Sequence, residues 1–398
     1  MKLSGRLGRI KPSATLSINA KAKALAKSGV SIVNFGVGEP DFDTPPNICR
    51  AAEESIRSGQ TRYTAVGGID ELKEAVCRVI KADYGFSYGP ANVLVSCGGK
   101  HALFNLFMTL LDPGDEVIIP APYWVSYPDM VELADAKPVI VNCPQENGFI
   151  LRPEALERAI TPKTRLLILN SPSNPTGKYY GPDELKALAE VLLRHENVMI
   201  ASDDIYYRIL FGGRKWVSLG MVEEKLRDRI FIIAGVSKSY CMTGWRIGYL
   251  IGDPQVVKAA TDFQSQVTSN PSSISQWASV EALNGDQTPA MEMALTFEKR
   301  CKRILDLIAD LPQVTCAEPD GAFYVFPNFS AHFGKKFGDR TINGSLDLAG
   351  FLMEEAHVAV VPGDAFGEDK CIRFSYALSM DEIEKGFKAV KMALKKLG

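Results

Sequence analysis

The sequence predicts an α/β protein, with a mostly parallel central sheet covered by helices on both faces and a smaller α+β domain attached to it. Three observations carry this. Short, almost wholly apolar runs alternate with amphipathic helical patterns through the middle of the chain, as expected of strands buried on both faces. At 398 residues the chain is too long for one small core. From about residue 286 the order of elements changes to a long helix, short strands and further helices.

The elements follow in chain order. Val93–Ser96 reads as a strand, and Lys100–Leu111 as a helix with Leu103, Phe104, Phe107 and Leu111 on one face. Glu116–Pro120, Pro138–Val141 and Arg165–Asn170 are strands, and a Pro-Asp pair opens a helix over Pro182–His195. Val198–Ser202, Ile230–Val236 and Ile247–Ile251 complete the strand set. In the tail, a helix over Met291–Leu311 precedes GAFYVF, a helix over Leu346–Ala356, the strands VAVVPG and CIRFSYA, and a terminal helix from Asp381. Glycine and proline near Gly285–Pro289 mark a boundary. The expected division is 1–44, an N-terminal arm joining the small domain; 45–285, the large domain; and 286–398, the small C-terminal domain.

Bulk composition excludes several classes. Hydrophobic residues make up 46% and charged residues 23%, ordinary for a globular protein, and a net charge of -2 argues against nucleic acid or an anionic membrane surface. No DNA-binding segment is expected before residue 30, and no apolar run is long enough to span a membrane. The basic N-terminus has no apolar core, so no signal peptide is expected. The 8 cysteines form no CxxC, which removes zinc and thioredoxin-like readings and fits reduced thiols in a cytoplasm. The 4 histidines have no metal-ligand spacing and read as structural or surface residues; no metal is expected.

The unusual residues gather at the C-terminal ends of the strands, where open α/β sheets bind ligands. One strand ends in Gly98-Gly99-Lys100, another leads to Tyr123-Trp124, a third runs into NSPSNPTG, a fourth into Asp203-Asp204-Ile205-Tyr206, and a fifth reaches Ser237-Lys238. Lys238 lies eight residues before Arg246. An isolated lysine at a strand end usually snorkels. Partly buried beside a cation, its amine becomes nucleophilic, a candidate for Schiff-base chemistry. Gly98-Gly99 before a helix can offer backbone N–H groups to a phosphate, or serve only as a tight turn. Asp203 and Asp204 should point to opposite faces, one solvated or capping and the other facing the crevice, where it can hold a ring nitrogen protonated. Trp124 alone reads more readily as core than as a stacking platform.

Taken together, GEPDFDTP (38–45), RYTAVGGIDELKEA (62–75), GGKHALFNLF (98–107), PYWVSYPDM (122–130), NSPSNPTG (170–177), SDDIY (202–206), SKSYCMTGWRIGY (237–249), GAFYVF (321–326) and CIRFSYA (371–377) resemble the class I/II aminotransferases over almost the whole chain. These are fold-type-I enzymes dependent on pyridoxal 5′-phosphate (PLP), and the likeness is strongest to the aspartate and prephenate branch. The resemblance implies that Lys238 forms a Schiff base with PLP and shuttles the substrate proton. Asp203 would face the pyridine nitrogen. Asn174 and Tyr206 would hydrogen-bond the phenolic oxygen, and Trp124 would stack on the ring. Gly98, Gly99, Lys100, Ser237 and Arg246 would line the phosphate cup, joined by Tyr63 from a neighbouring subunit of a homodimer. Arg373 would grip the substrate α-carboxylate as a bidentate fork, with Gly38, Trp124 and Asn174 around the substrate. Lys100 and Thr15 match the branch's contacts to a distal carboxylate. Three positions depart from the family pattern: Asp204 stands where Glu is usual, Ser173 replaces a common Asn, and Gly235 replaces a Ser or Thr, removing one phosphate contact.

The expected function is transfer of the amino group of L-aspartate to 2-oxoglutarate by a ping-pong scheme, extending to prephenate. The alternatives are a broad or aromatic aminotransferase, a PLP-dependent lyase, or a catalytically silent binding module on the same scaffold. Retained Lys238, Asp203 and Arg373 argue against the last.

Overall fold

The computed structural model describes residues 3–10 and 14–398. Strand β1 (Val33–Asn34) precedes the central sheet, whose strands are β2 (Val93–Ser96), β3 (Glu116–Ala121), β4 (Lys137–Asn142), β5 (Thr164–Asn170), β6 (Met199–Asp203), β7 (Ile230–Gly235) and β8 (Gly248–Ile251). Their spatial order is β2-β8-β7-β6-β5-β3-β4. All are parallel to one another except β8, which runs antiparallel to β2 and to β7. The expected strands therefore form, with ends displaced by at most one residue.

Side chains alternate between two cores, as the period of a strand requires. Val93, Val95, Leu167, Leu169, Ile200 and Ile232 pack on one face, beneath the helices Pro46–Arg57, Asp70–Tyr84, Pro182–Leu193 and Ser273–Asn284. Leu94, Leu166, Ile168, Ala201, Phe231 and Ile233 pack on the other, beneath the helices Gly99–Leu110, Ser126–Leu133 and Pro254–Val267. Strands β7 and β8 inside the sheet, and β2 at its other edge, are buried at every position, which is why they read as continuous apolar runs. At the sheet edge β4 is only partly covered.

The C-terminal part adds β9 (Tyr324–Val325), a small hairpin of β10 (Lys336–Phe337) and β11 (Arg340–Thr341), then β12 (Val358–Ala359), β13 (Val361–Pro362) and β14 (Ile372–Ser375). β14 lies between β13 and β9, antiparallel to both. The single strand expected over VAVVPG is two. Val358–Ala359 pairs in parallel with β1, whereas Val361–Pro362 pairs with β14, so the chain changes sheets at Val360. A third core gathers Phe297, Ile304, Phe323, Phe351, Phe374 and Phe387 with Val33 and Phe35 from the N-terminal arm. We propose the division at residues 44 and 285 on that basis. The arm is tied to the C-terminal part by Asp41, which accepts from both terminal guanidinium nitrogens of Arg300 at 2.6 and 2.8 Å.

Two glycines fix how the sheet meets the turn after β2. Gly98 has φ of +90°, a conformation that side-chain-bearing residues rarely adopt. Gly248, at the start of β8, lies under that turn: a Cβ there would sit 2.2 Å from the Gly99 nitrogen and 2.4 Å from the Gly98 carbonyl carbon. Backbone cannot yield as a side-chain tip can. Gly248→Ala should therefore destabilise the fold by at least about 1–3 kcal/mol, the cost of overpacking. Urea unfolding measures it, and a variant as stable as the parent would mean that the turn and β8 separate freely.

Candidate active site

A cavity of about 490 Å³ opens at the C-terminal ends of β2, β3, β5, β6 and β7. Its wall includes Lys238, Asp203, Tyr206, Gly99, Lys100 and Trp124, together with Asn174, Ser237, Arg246, Gly38, Arg373 and Thr15. Two of the residues that the resemblance assigns to the site lie off this wall. Gly98 sits directly behind it, where a Cβ would strike the Arg246 guanidinium at 2.3 Å. Tyr63 is outside the cavity and 92% exposed.

Lys238 follows β7 in a turn, and its Nζ donates to the Gly38 carbonyl at 2.7 Å. Removal from water pushes its ammonium down to about 8; the Arg246 and Arg373 charges act the same way, and Glu39 and Asp203 oppose them. The ammonium still predominates near physiological pH, but a minority of the amine is neutral there, far more than for an ordinary lysine, and that fraction can act as a nucleophile or base.

Asp203 and Asp204 end up in different cores, as strand alternation dictates. Asp203 points to the cavity side and accepts from the Tyr127 hydroxyl at 2.5 Å. Burial raises its carboxyl to about 6, with the Tyr127 hydrogen bond opposing the rise. Asp204 was expected to be solvated or a cap. Instead it is wholly buried on the other face, accepting from Tyr84 at 2.9 Å and Ser202 at 2.7 Å, and burial raises it to about 7. The apolar core on that face leaves no route to water, so the two hydroxyls take water's place.

Arg373 lies on β14 between Ile372 and Phe374, which face the third core, so its own side chain turns the other way, into the cavity. It is 2% exposed. Its two terminal nitrogens donate to Asn174 Oδ1 and the Gly36 carbonyl, both at 2.9 Å, while Nε is buried with no protein partner. Such a guanidinium has capacity for an added acceptor. Lys100 reaches over the Trp124 ring, 4.8 Å from its centroid, and desolvation together with the Arg246 charge lowers its ammonium's proton affinity. Arg246, in the left-handed conformation with φ of +55°, donates to the Thr243 and Cys97 carbonyls beside the N-terminus of the helix Gly99–Leu110.

Three members of the site escaped the sequence reading. Tyr127 holds Asp203, and Asn170 donates to the Asp203 carbonyl at 2.7 Å while accepting from the Asn174 amide at 2.8 Å. Tyr324 shares a 2.8 Å hydrogen bond with Tyr206. Their motifs, PYWVSY, NSPSNP and GAFYVF, were visible, but nothing in the spacing separated these side chains from core residues.

The family model described as aminotransferase class I and II matches residues 30–390. The chain belongs to the class I and II aminotransferases. One relative within this family is a probable aspartate/prephenate aminotransferase of Rickettsia bellii, 51% identical over 384 residues that span 96% of each chain. An aspartate aminotransferase of Geobacillus stearothermophilus is 48% identical over 96% of each chain. Among solved aminotransferases, the aspartate enzyme of Rhizobium meliloti superposes with a TM-score of 0.97, 42% identity and full coverage of both chains. That of Thermus thermophilus, solved with maleate, gives 0.91 at 40% identity, covering 99% of this chain and 100% of that one. No helix among the described residues of this aminotransferase is long and apolar enough to cross a membrane.

The raised carboxyls make the stability of the ligand-free protein depend on pH. An unfolded aspartate ionises near 4, whereas Asp203 and Asp204 ionise near 6 and 7 in the fold. The folded chain therefore holds more protons across this window, and stability falls as pH rises through it. Asp204→Asn keeps a hydrogen-bonding group between Tyr84 and Ser202 without the charge. It should remove part of the decline between pH 5 and 8, on the order of a few kcal/mol. Denaturant unfolding of wild type and variant at several pH values is the check; parallel curves would mean that Asp204 ionises in the fold near its unfolded value.

Proposed function

We propose that this aminotransferase moves the amino group of L-aspartate to 2-oxoglutarate through PLP in two half-reactions, in a cytoplasmic homodimer. The observation that carries the reading is a single cavity holding one largely desolvated amine, Lys238, and, besides Arg246 at the glycine turn, two further cationic groups, Arg373 and Lys100. A dicarboxylate needs both of the latter, and the Thr15 hydroxyl stands on the same wall.

The residues fit PLP. Gly98-Gly99 leaves backbone open at a helix N-terminus beside Ser237 and Arg246, a setting for phosphate. Asp203 presents a desolvated carboxylate suited to a protonated ring nitrogen, and Trp124 supplies an aromatic face. Asn174 and Tyr206 offer donors to the phenolic oxygen, and Tyr63 would complete the phosphate cup of the neighbouring subunit. When bound, PLP supplies an electron sink that takes up the charge left at the substrate Cα.

The protein's own residues do the rest. Lys238 would hold the cofactor through Nζ and, as the free amine, would carry the substrate proton between Cα and the cofactor's carbonyl carbon. Its lowered proton affinity suits both duties. Asp203 holds a proton at the ring nitrogen, and Tyr127 keeps that carboxylate oriented. Arg373 receives the α-carboxylate, its plane fixed by Asn174 and the Gly36 carbonyl. Gly38, whose carbonyl already holds Nζ, lies on the segment that shields the reaction from water. Lys100 and Thr15 read the distal carboxylate. The names of the Rickettsia and Geobacillus relatives, and the dicarboxylate maleate bound by the Thermus neighbour, support that substrate class.

Lys100→Ser tests the assignment. Loss of a charged contact of about 1.5–3 kcal/mol should raise KM for aspartate and 2-oxoglutarate roughly tenfold or more, while phenylalanine and alanine change little. Steady-state kinetics on the four substrates decides it. An equal loss on acidic and neutral substrates would place Lys100 with the cofactor or the fold, leaving a broad-specificity aminotransferase as the better reading.

A further inference from the structure

Tyr324 is a buried polar side chain that touches the proposed cofactor side and the proposed substrate side of the cavity at once. It has no exposed surface. Its hydroxyl lies 2.8 Å from that of Tyr206. Its ring lies under Arg373, whose guanidinium carbon is 4.7 Å from the ring centroid. A Cβ on Gly38 would meet the same hydroxyl at 3.0 Å, and it is the Gly38 carbonyl that holds Lys238 Nζ at 2.7 Å.

Two phenols facing each other share one hydrogen bond, and only one of their two protons lies in it. The donor's identity has a consequence. If Tyr206 donates to Tyr324, its proton is spent there. If Tyr324 donates, the Tyr206 proton is free to point into the cavity. The Arg373 charge beside the Tyr324 ring favours ionisation of that phenol and makes it the stronger donor. Burial pushes both hydroxyls up, but Tyr206 well above its ordinary value and Tyr324 less, with Arg373 the first influence opposing the rise at Tyr324.

We propose that Tyr324 is a positioning residue that donates its hydroxyl proton to Tyr206, turning the Tyr206 proton toward the cofactor's phenolic oxygen and linking the Arg373 carboxylate site to the proton affinity of the cofactor linkage. This rests on PLP binding at Lys238 as proposed above. A donor to the phenolic oxygen withdraws charge from it and weakens its hold on a neighbouring proton. A Tyr206 that itself accepts a hydrogen bond is a better donor, because such chains polarise cooperatively.

The experiment uses PLP-loaded protein and reads the pH midpoint of the cofactor's visible absorbance, not activity. Tyr206→Phe should raise the midpoint. Tyr324→Phe, which keeps the ring under Arg373, should raise it less, by no more than about one pH unit, the size of one buried hydrogen bond. The double variant should match Tyr206→Phe alone, because Tyr324 acts only through Tyr206. An unmoved midpoint in Tyr324→Phe would overturn the proposal, as would a double-variant shift equal to the sum of the single ones. If wild-type protein shows no absorbance band that Lys238→Ala removes, the cofactor reading itself falls, a failure visible before any Tyr324 variant is made.

Discussion

An amine and a carboxylate are withdrawn from water a few ångströms beyond two neighbouring strands, and much of the molecule is arranged to make that tolerable. Lys238 follows β7 and Asp203 ends β6, which pair in parallel. Ionised groups so buried are costly unless hydrogen-bonded. Here the solutions are local: the Gly38 carbonyl for the amine, Tyr127 and the Ile205 amide for the carboxylate. The remaining cost is visible as proton affinities displaced toward neutrality, down at Lys238 and up at Asp203. In this account the displacement is what the chemistry uses.

The two-sided sheet explains why adjacent acids have different fates. Ala201 and Asp203 face the core beneath the helix Ser126–Leu133, which supplies Tyr127; Ile200, Ser202 and Asp204 face the opposite core, where Tyr84 waits. Asp204 is therefore a second buried carboxyl behind the first, held by hydroxyls rather than cations. The C-terminal part closes the cavity with Arg373, turned inward by the same alternation on β14. The N-terminal arm ties these parts together. Its Phe35 carbonyl accepts from the Ser375 amide, and its Thr44 hydroxyl donates to the Cys241 carbonyl and accepts from the Trp245 indole.

Much of this was legible in the sequence because strand ends in a parallel sheet converge by construction. GGK, PYW, NSPSNP, SDDIY and SK each follow an apolar run, and the cavity gathers all five. The division of VAVVPG between two sheets was not legible, because a short apolar run carries no record of which partner each residue will pair with. Nor was the burial of Asp204, which depends on Tyr84 arriving from 120 residues away. Nothing in the sequence sets Tyr127 and Tyr324 apart from other aromatics; only their hydroxyl contacts, made across the fold, mark them as part of the site.

The central claim is that Lys238 is the lysine that bonds to PLP. The direct measurement is borohydride reduction of the PLP-loaded protein followed by peptide mapping. The account predicts one pyridoxyl adduct, on Lys238, and none in Lys238→Ala. An adduct on any other lysine, Lys100 included, or no adduct in the loaded wild type, would contradict it.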